Sequence, residues 1–151
     1  MNGELEELYK EVILDHNRHP RNFHEMAAAT RTVEGHNPLC GDVLRLYLKL
    51  DGDRIEDISF QGRGCAISVA SASMLTERLK GCTVKEAGQL IGAVHDVLTS
   101  DQPETDAVLP GKLASLAGVR KYPMRIKCAT LSWHTLKAAL RGDHPEPVTT
   151  E

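Results

Sequence analysis

The chain has 151 residues, of which 41% are hydrophobic and 26% charged, and these values are typical of one globular domain with a buried core. The net charge of −3 and the scattered basic residues argue against binding to nucleic acid or to an anionic membrane. The first residues are acidic, and no apolar stretch approaches the roughly 20 residues of a membrane span. We therefore expect a cytoplasmic protein, in which the cysteines serve metal binding or catalysis more often than disulfides.

The N-terminal segment predicts a helix and a polar connector. Apolar residues at helical spacing indicate an amphipathic helix over 4–17, which ends in the polar segment around Pro20. That segment contains His16, His19 and His24. No ligand spacing of cysteines or carboxylates accompanies these histidines, so we interpret them as part of a solvated connector and not as a metal site.

A small sheet is predicted next. A first strand is expected over 29–36, and a clearer one over 43–50, where leucines alternate with polar residues. Asp51-Gly52-Asp53 turns the chain into a hairpin partner over 55–60. Since one face of this sheet is apolar and the other polar, helices are expected on a single side.

The pattern becomes helical after Gly62-Arg63-Gly64. We expect a helix over 66–79, a capping box from Thr83 to Glu86 that opens a second helix to about Leu98, and a surface loop over 99–110. A short helix near 111–117, a break over 119–123 and a closing helix through Trp133 follow. The predicted fold class is α+β, a small three-stranded, mainly antiparallel sheet with helices packed on one face. One domain is expected over 1–151, with an ordered core of about 4–141 and a frayed tail over 142–151.

Three cysteines lie at turns or predicted helix starts, beside glycine or polar residues: Cys40, Cys65 and Cys128. Cysteines that only fill a core usually lie in apolar runs, because a neutral thiol behaves as a small hydrophobe. With Asp42 they offer four ligands for one metal ion, and sulfur ligands favour zinc or iron–sulfur chemistry. From spacing alone, three unrelated buried cysteines remain an alternative, because no Cys-x-x-Cys pair is present.

The positions of these cysteines also allow a prediction of their pKa values. The positive end of a helix dipole favours thiolate over thiol, so we expect lowered pKa values for Cys65 and Cys128 at their predicted helix starts. Arg125 and Lys127 add positive charge nearby. Cys82 fits no ligand pattern and is interpreted as incidental.

Four motifs then identify a family: Asp15-His16-x-x-x-Pro20-Arg21-Asn22, Asn37-Pro38-x-Cys40-Gly41-Asp42, Gly62-x-Gly64-Cys65-Ala66-Ile67-Ser68, and Arg125-Ile126-Lys127-Cys128 with the residues through Trp133. They resemble the IscU/SufU family of iron–sulfur cluster assembly proteins (NifU N-terminal-like), and the details look like its SufU branch. The match covers about residues 4 to 140.

Two departures separate the chain from the IscU branch. Lys127 occupies the position where IscU proteins have a histidine, and Tyr122-Pro123-Met124-Arg125 replaces their Leu-Pro-Pro-Val-Lys chaperone motif. Both departures weaken a scaffold role.

The resemblance implies a SufE/NifU-like fold and one zinc ion per chain, bound by Cys40, Asp42, Cys65 and Cys128. It implies that Cys40 accepts persulfide sulfur from a SufS-type, PLP-dependent cysteine desulfurase and relays it to a downstream Suf assembly scaffold. Arg125 and Lys127 would lie beside the ligands, and a monomer suffices. Two alternatives stay open: a scaffold on which an iron–sulfur cluster is assembled, and a structural zinc-binding interaction domain.

Overall fold

The computed structural model describes residues 3–99, 109, 111–142 and 148–149, with side chains in the first helix described from residue 10 onward. The elements in chain order are helix α1 (Gly3–Arg18), strands β1 (Arg31–Asn37), β2 (Asp42–Asp51) and β3 (Arg54–Arg63), helices α2 (Ala66–Leu79) and α3 (Val84–Thr99), a 3₁₀ helix (Gly111–Lys121), helix α4 (Pro123–Arg141) and strand β4 (Val148–Thr149). None of the helices in these ranges has the length and hydropathy that a bilayer span requires.

The sheet has the strand order β3-β2-β1-β4. The predicted three-stranded antiparallel arrangement is confirmed, since β2 pairs antiparallel with both β1 and β3. The structure adds β4, which pairs parallel with β1 through Gly35 and His36. This pairing places two residues of the tail that was expected to fray at the sheet edge, while 143–147 and 150–151 lie outside the described residues, as does most of the predicted loop over 99–110.

Helices α2 and α4 pack against each other and against the sheet. The largest fully buried side chain is Trp133 on α4, whose indole N–H donates to the Ser71 hydroxyl on α2 at 3.0 Å. That hydroxyl donates to the Ala129 carbonyl at 2.6 Å. The small residues of α2 allow this close approach, and it fixes the spacing between the two helices that carry Cys65 and Cys128.

The helix ends agree with the sequence at one position and differ at another. The capping box is confirmed, because the Glu86 amide donates to the Thr83 hydroxyl at 3.1 Å and the Thr83 amide donates to the Glu86 carboxylate at 3.0 Å. The predicted break over 119–123 is wrong in its extent, since the 3₁₀ helix continues to Lys121 and α4 begins at Pro123, so that only Tyr122 separates them. Proline has no N–H to leave unsatisfied in a first turn and its φ suits a helix, so Pro123 starts α4 instead of ending the preceding segment.

The histidine-containing connector is only partly solvated. His19 and His24 are exposed as expected, but His16 is 0% exposed, so that prediction was wrong for His16. The His16 Nδ1 atom lies 2.7 Å from the Ser73 hydroxyl, which also accepts the Arg21 amide at 2.8 Å. The packing of α1 on α2 buries this histidine, and a tertiary contact of that kind leaves no trace in local polarity.

The crossing of α4 over β1 predicts a glycine requirement at residue 35. A Cβ at Gly35 would overlap the Thr135 hydroxyl, and Thr135 is fully buried and donates to the Leu131 carbonyl at 2.7 Å. Gly35→Ala is expected to lower the free energy of unfolding by about 1–3 kcal/mol through overpacking. Gly88→Ala, on an exposed α3 position with nothing within 4 Å, should instead stabilise by about 1 kcal/mol. Urea unfolding measures the change in the free energy of unfolding for both variants. Equal changes in the two would contradict the packing argument.

The burial of His16 predicts a pH dependence of stability. Burial, followed by the charges of Arg21 and Lys112, lowers the pKa of His16, so the folded state binds fewer protons than the unfolded chain. Stability should therefore fall as the pH drops below the ordinary histidine pKa of about 6.5. His16→Gln should flatten this dependence, whereas His24→Gln at an exposed position should keep it. Unfolding curves at a series of pH values measure the slopes, and an unchanged slope in His16→Gln would refute the assignment.

Candidate metal centre

Three of the four predicted ligand residues meet at one point. The ligand atoms of Cys40, Asp42 and Cys128 all lie within 4.8 Å of one another. Cys40 lies in the turn between β1 and β2, Asp42 is the first residue of β2, and Cys128 lies in the second turn of α4. The predicted convergence of these residues is therefore present in the fold.

The turn between β1 and β2 positions the first two of them. Asn37 and Asp42 face each other as the last cross-strand pair of β1 and β2, and the Cys40 amide donates to the Asn37 carbonyl at 3.3 Å. Gly41 has φ of 72°, a left-handed conformation that glycine adopts without strain. This turn leaves Cys40 half-buried, while Asp42 is only 1% exposed.

Cys65 reaches the same region from the start of α2. It is the N-cap of α2, as the sequence predicts, and its sulfur accepts the Ser68 amide at 3.4 Å. Its own amide donates to Asp42 Oδ1 at 2.8 Å. The sulfur of Cys65 is not part of the group whose atoms lie within 4.8 Å of one another, so its place as the fourth ligand stays a prediction.

Gly64 makes the approach of α2 to Asp42 sterically feasible. A Cβ at this residue would overlap the Asp42 carboxylate and lie 2.9 Å from the Asp42 Cα. The φ of 154° is also one that residues with a side chain rarely adopt. The glycine before Cys65 is therefore a spatial requirement of the site.

The electrostatics of Cys128 differ from the expectation. Cys128 is fully buried, and burial, together with hydrogen bonds involving Cys40, Asp42 and Cys65, raises its pKa. The predicted lowering was wrong for Cys128, because α4 begins at Pro123 and its dipole end lies a full turn away. The thiol of Cys128 is thus neutral in the metal-free protein, and binding of a metal must displace its proton.

Arg125 supplies positive charge at the rim of the site. Its hydrogen bond to Cys128, followed by the charge of Cys65, raises the pKa of its guanidinium, and Cys40 contributes in the same direction. Lys127 is half-buried on α4 immediately before Cys128. Arg125 therefore lies near the ligand sulfurs, while the place of the Lys127 side chain and the function of both residues stay predictions.

Asn37 belongs to the site although the sequence indicated it only as a turn residue. Its side-chain amide donates to Asp42 Oδ2 at 3.1 Å and to Cys128 Sγ at 3.4 Å, and it is fully buried. A signal was present, since an asparagine at a strand end next to Pro38 and Cys40 suits a hydrogen-bonding role as well as a turn.

The donor chemistry of this cluster fits zinc. Zinc is commonly held by cysteine sulfur and aspartate oxygen in a tetrahedral shell, whereas magnesium and calcium prefer oxygen alone. Two sulfurs and one carboxylate already converge, and Cys65 lies close enough to affect the pKa of Cys128. The residues present therefore suit zinc, or an iron–sulfur cluster, better than a hard cation.

Comparison with known proteins assigns the chain to a family. The model of the NifU-like N terminal domain matches residues 8–139. The chain is 43% identical over 136 residues to the zinc-dependent sulfurtransferase SufU of Bacillus subtilis, and the aligned region covers 90% of this chain and 91% of that protein. It is 41% identical over 139 residues to the iron–sulfur cluster assembly scaffold protein IscU of Streptococcus pyogenes, and the aligned region covers 92% of this chain and 86% of that protein.

The fold has a solved counterpart. The crystal structure of FiSufU from Fervidobacterium islandicum, described as an iron–sulfur cluster assembly scaffold protein for the SUF system, superimposes with a TM-score of 0.80. The two sequences are 34% identical, and the match covers 89% of this chain and 97% of that chain.

The close approach of Gly64 to Asp42 predicts a selective loss of metal binding. Gly64→Ala should displace the Asp42 carboxylate and weaken zinc affinity, measured by competition with a chromophoric chelator. Gly81→Ala is the matched control, because Gly81 also has a positive φ of 89° but nothing within 4 Å of its Cβ position. Both variants should lose about 1–2 kcal/mol of stability from backbone strain, and Gly64→Ala should lose more because its Cβ also overlaps Asp42. Equal zinc affinity in the two variants would contradict the steric argument.

Proposed function

The chain belongs to the NifU-like N terminal domain family, and we propose that within it this protein is a zinc-dependent sulfurtransferase. It accepts persulfide sulfur from a SufS-type, PLP-dependent cysteine desulfurase and relays it to a downstream assembly scaffold for iron–sulfur cluster biogenesis. One zinc ion is held by Cys40, Asp42, Cys65 and Cys128. The observation that carries the proposal is the convergence of Cys40, Asp42 and Cys128 within 4.8 Å in a chain similar to a zinc-dependent sulfurtransferase.

Cys40 is the residue of this set that suits a sulfur acceptor. Cys128 is fully buried inside α4, so its thiol cannot reach a partner without unfolding that helix. Cys65 is half-buried like Cys40, but it is the N-cap of α2 and its sulfur accepts the Ser68 amide. Cys40 is half-buried on a turn beside Gly41, and a change in that turn moves its sulfur outward without disturbing β2. Bound zinc supplies a redox-inert environment that protects the thiolates from oxidation.

The transfer step is an exchange between two sulfur–sulfur bonds. The thiolate of Cys40 attacks the outer sulfur of the donor persulfide, and a sulfur–sulfur bond forms at Cys40. The sulfur–sulfur bond of the donor breaks, and the donor cysteine leaves as a thiolate. One persulfide replaces another, so the step needs neither an oxidant nor a reductant.

Arg125 supports this step by its position. It is exposed at the N-terminal end of α4 and lies near enough to Cys128, Cys65 and Cys40 for these cysteines to raise the pKa of its guanidinium. A cation there attracts the anionic persulfide and stabilises the new persulfide at Cys40.

A scaffold function is the second candidate, and the likeness to an IscU scaffold favours it. The same ligand residues would then hold iron and sulfide instead of zinc, and the same cysteines would carry a different function. A purely structural zinc site is the third reading, and it places no requirement on the exposure of Cys40.

The sulfurtransferase proposal predicts a cysteine-specific effect on the desulfurase. Zinc-loaded protein added to the cognate desulfurase with free cysteine and no iron should accelerate alanine production, because Cys40 removes the persulfide that limits turnover. Cys40→Ser should abolish the acceleration, whereas Cys82→Ser should retain it, since Cys82 lies between α2 and α3 and outside the cluster. Circular dichroism of both variants is the control for folding.

Each contrary result favours a different function. No acceleration by the wild-type protein, together with iron-dependent visible absorption, would support the scaffold. Loss of folded structure in Cys40→Ser with unchanged acceleration in the residual folded fraction would support a structural site.

A further inference from the structure

Asn37 makes two hydrogen bonds to the cluster from a single nitrogen atom. Its Nδ2 lies 3.1 Å from Asp42 Oδ2 and 3.4 Å from Cys128 Sγ. A side-chain amide carries two hydrogens on that nitrogen, so both bonds form together. The two acceptors belong to different elements, β2 and α4, and Asn37 at the end of β1 joins them.

The orientation of this amide is determined by its acceptors. The rotated amide would place Oδ1 against Asp42 Oδ2, where the two oxygens repel each other and the carboxylate loses a donor. In the observed orientation Oδ1 is buried and has no hydrogen-bond partner in the described part of the chain. Burial of an unpaired amide oxygen is unfavourable, so packing alone does not explain an asparagine at this position.

The side-chain hydrogen bonds at the cluster hold Asp42 and Cys128 but not the sulfur of Cys40. Asp42 accepts from Asn37 on Oδ2 and from the Cys65 amide on Oδ1, so both carboxylate oxygens are held by the protein. Cys128 is held by Asn37 and by the helix in which it lies. The Asn37 side chain makes no hydrogen bond to the sulfur of Cys40, whose backbone amide alone bonds to the Asn37 carbonyl, and Cys40 lies half-buried on a turn outside any helix or strand.

We propose that Asn37 is a positioning residue, which holds Asp42 and Cys128 as the fixed part of the metal centre and leaves Cys40 as the movable ligand. This inference rests on the proposed function for the meaning of the movement, but the hydrogen bonds themselves can be tested by metal binding alone. A donor to a ligand sulfur withdraws electron density from it, and donors to both ligands reduce the freedom that metal binding must remove.

Cobalt substitution gives the direct test, because the sulfur-to-cobalt charge-transfer band reports the electron density on the ligand sulfurs. Asn37→Leu keeps the approximate volume and removes both donors, and Asn37→Ala removes the side chain. Both should bind cobalt about 10–100-fold more weakly than the wild-type protein, and both should move the band to lower energy. A merely structural role for Asn37 would lower stability without moving the band.

Ser73→Ala is the matched control for the loss of a buried polar contact. Ser73 is fully buried on α2 and its hydroxyl contacts His16 and Arg21, away from the cluster. This variant should lose stability while keeping the cobalt affinity and band of the wild-type protein. Unchanged band position and affinity in both Asn37 variants would overturn the proposal.

A measurement on the wild-type protein keeps the proposal falsifiable even where the Asn37 variants fail to fold. In protein loaded with ¹¹³Cd, a scalar coupling between the metal and an Asn37 side-chain proton requires the bond to Cys128 Sγ, so its presence supports the proposal and its absence overturns it. The sulfurtransferase function can fail while the positioning role of Asn37 holds, and the two failures give different results. A wild-type protein whose cobalt and cadmium spectra show sulfur ligation, but which accepts no sulfur from a desulfurase, would retain the Asn37 assignment and lose the sulfurtransferase.

Discussion

The buried carboxylate of Asp42 is the constraint on which the site depends. At 1% exposure the oxygens of this side chain must have hydrogen-bond partners, because a buried polar group without them is destabilising. The protein supplies them from the end of β1, through Asn37, and from the start of α2, through the Cys65 amide. Satisfying this one group therefore brings two of the three cysteine-bearing segments together, and Gly64 provides the space that this approach needs.

The parts of the fold that local patterns encode could be predicted from the sequence. Alternating leucines gave β2, the Thr83–Glu86 capping box gave the start of α3, and Gly64-Cys65 gave the start of α2. The ligand set was read from motifs, and three of its members converge as expected. The errors have two causes. Pro123 was interpreted as a break although proline also suits the first turn of a helix. The burial of Cys128 and His16 depends on which element packs against which, and that information is not contained in the neighbouring residues.

The correction at Cys128 changes the chemistry of the site. A cysteine at a helix start would be a ready nucleophile, whereas a buried thiol with a raised pKa is an inert group that becomes a thiolate when a metal displaces its proton. Under the proposed function the reactive thiol is Cys40 on its half-buried turn, because Cys65, although also half-buried, is held at the N-cap of α2, where its sulfur accepts the Ser68 amide. A sulfurtransferase and a scaffold protein are both similar to this chain, so family membership does not decide between the two functions, and we propose that the mobility of Cys40 does.

The most direct test of the account is the location of transferred sulfur. Zinc-loaded protein would be mixed with the desulfurase and cysteine, alkylated, digested and analysed by mass spectrometry for peptides carrying one additional sulfur atom. If Cys40 is the sulfur acceptor, the additional sulfur will lie on the Cys40 peptide and none on the peptides of Cys65 and Cys128. Sulfur on Cys65 or Cys128, or on none of the three, would contradict it.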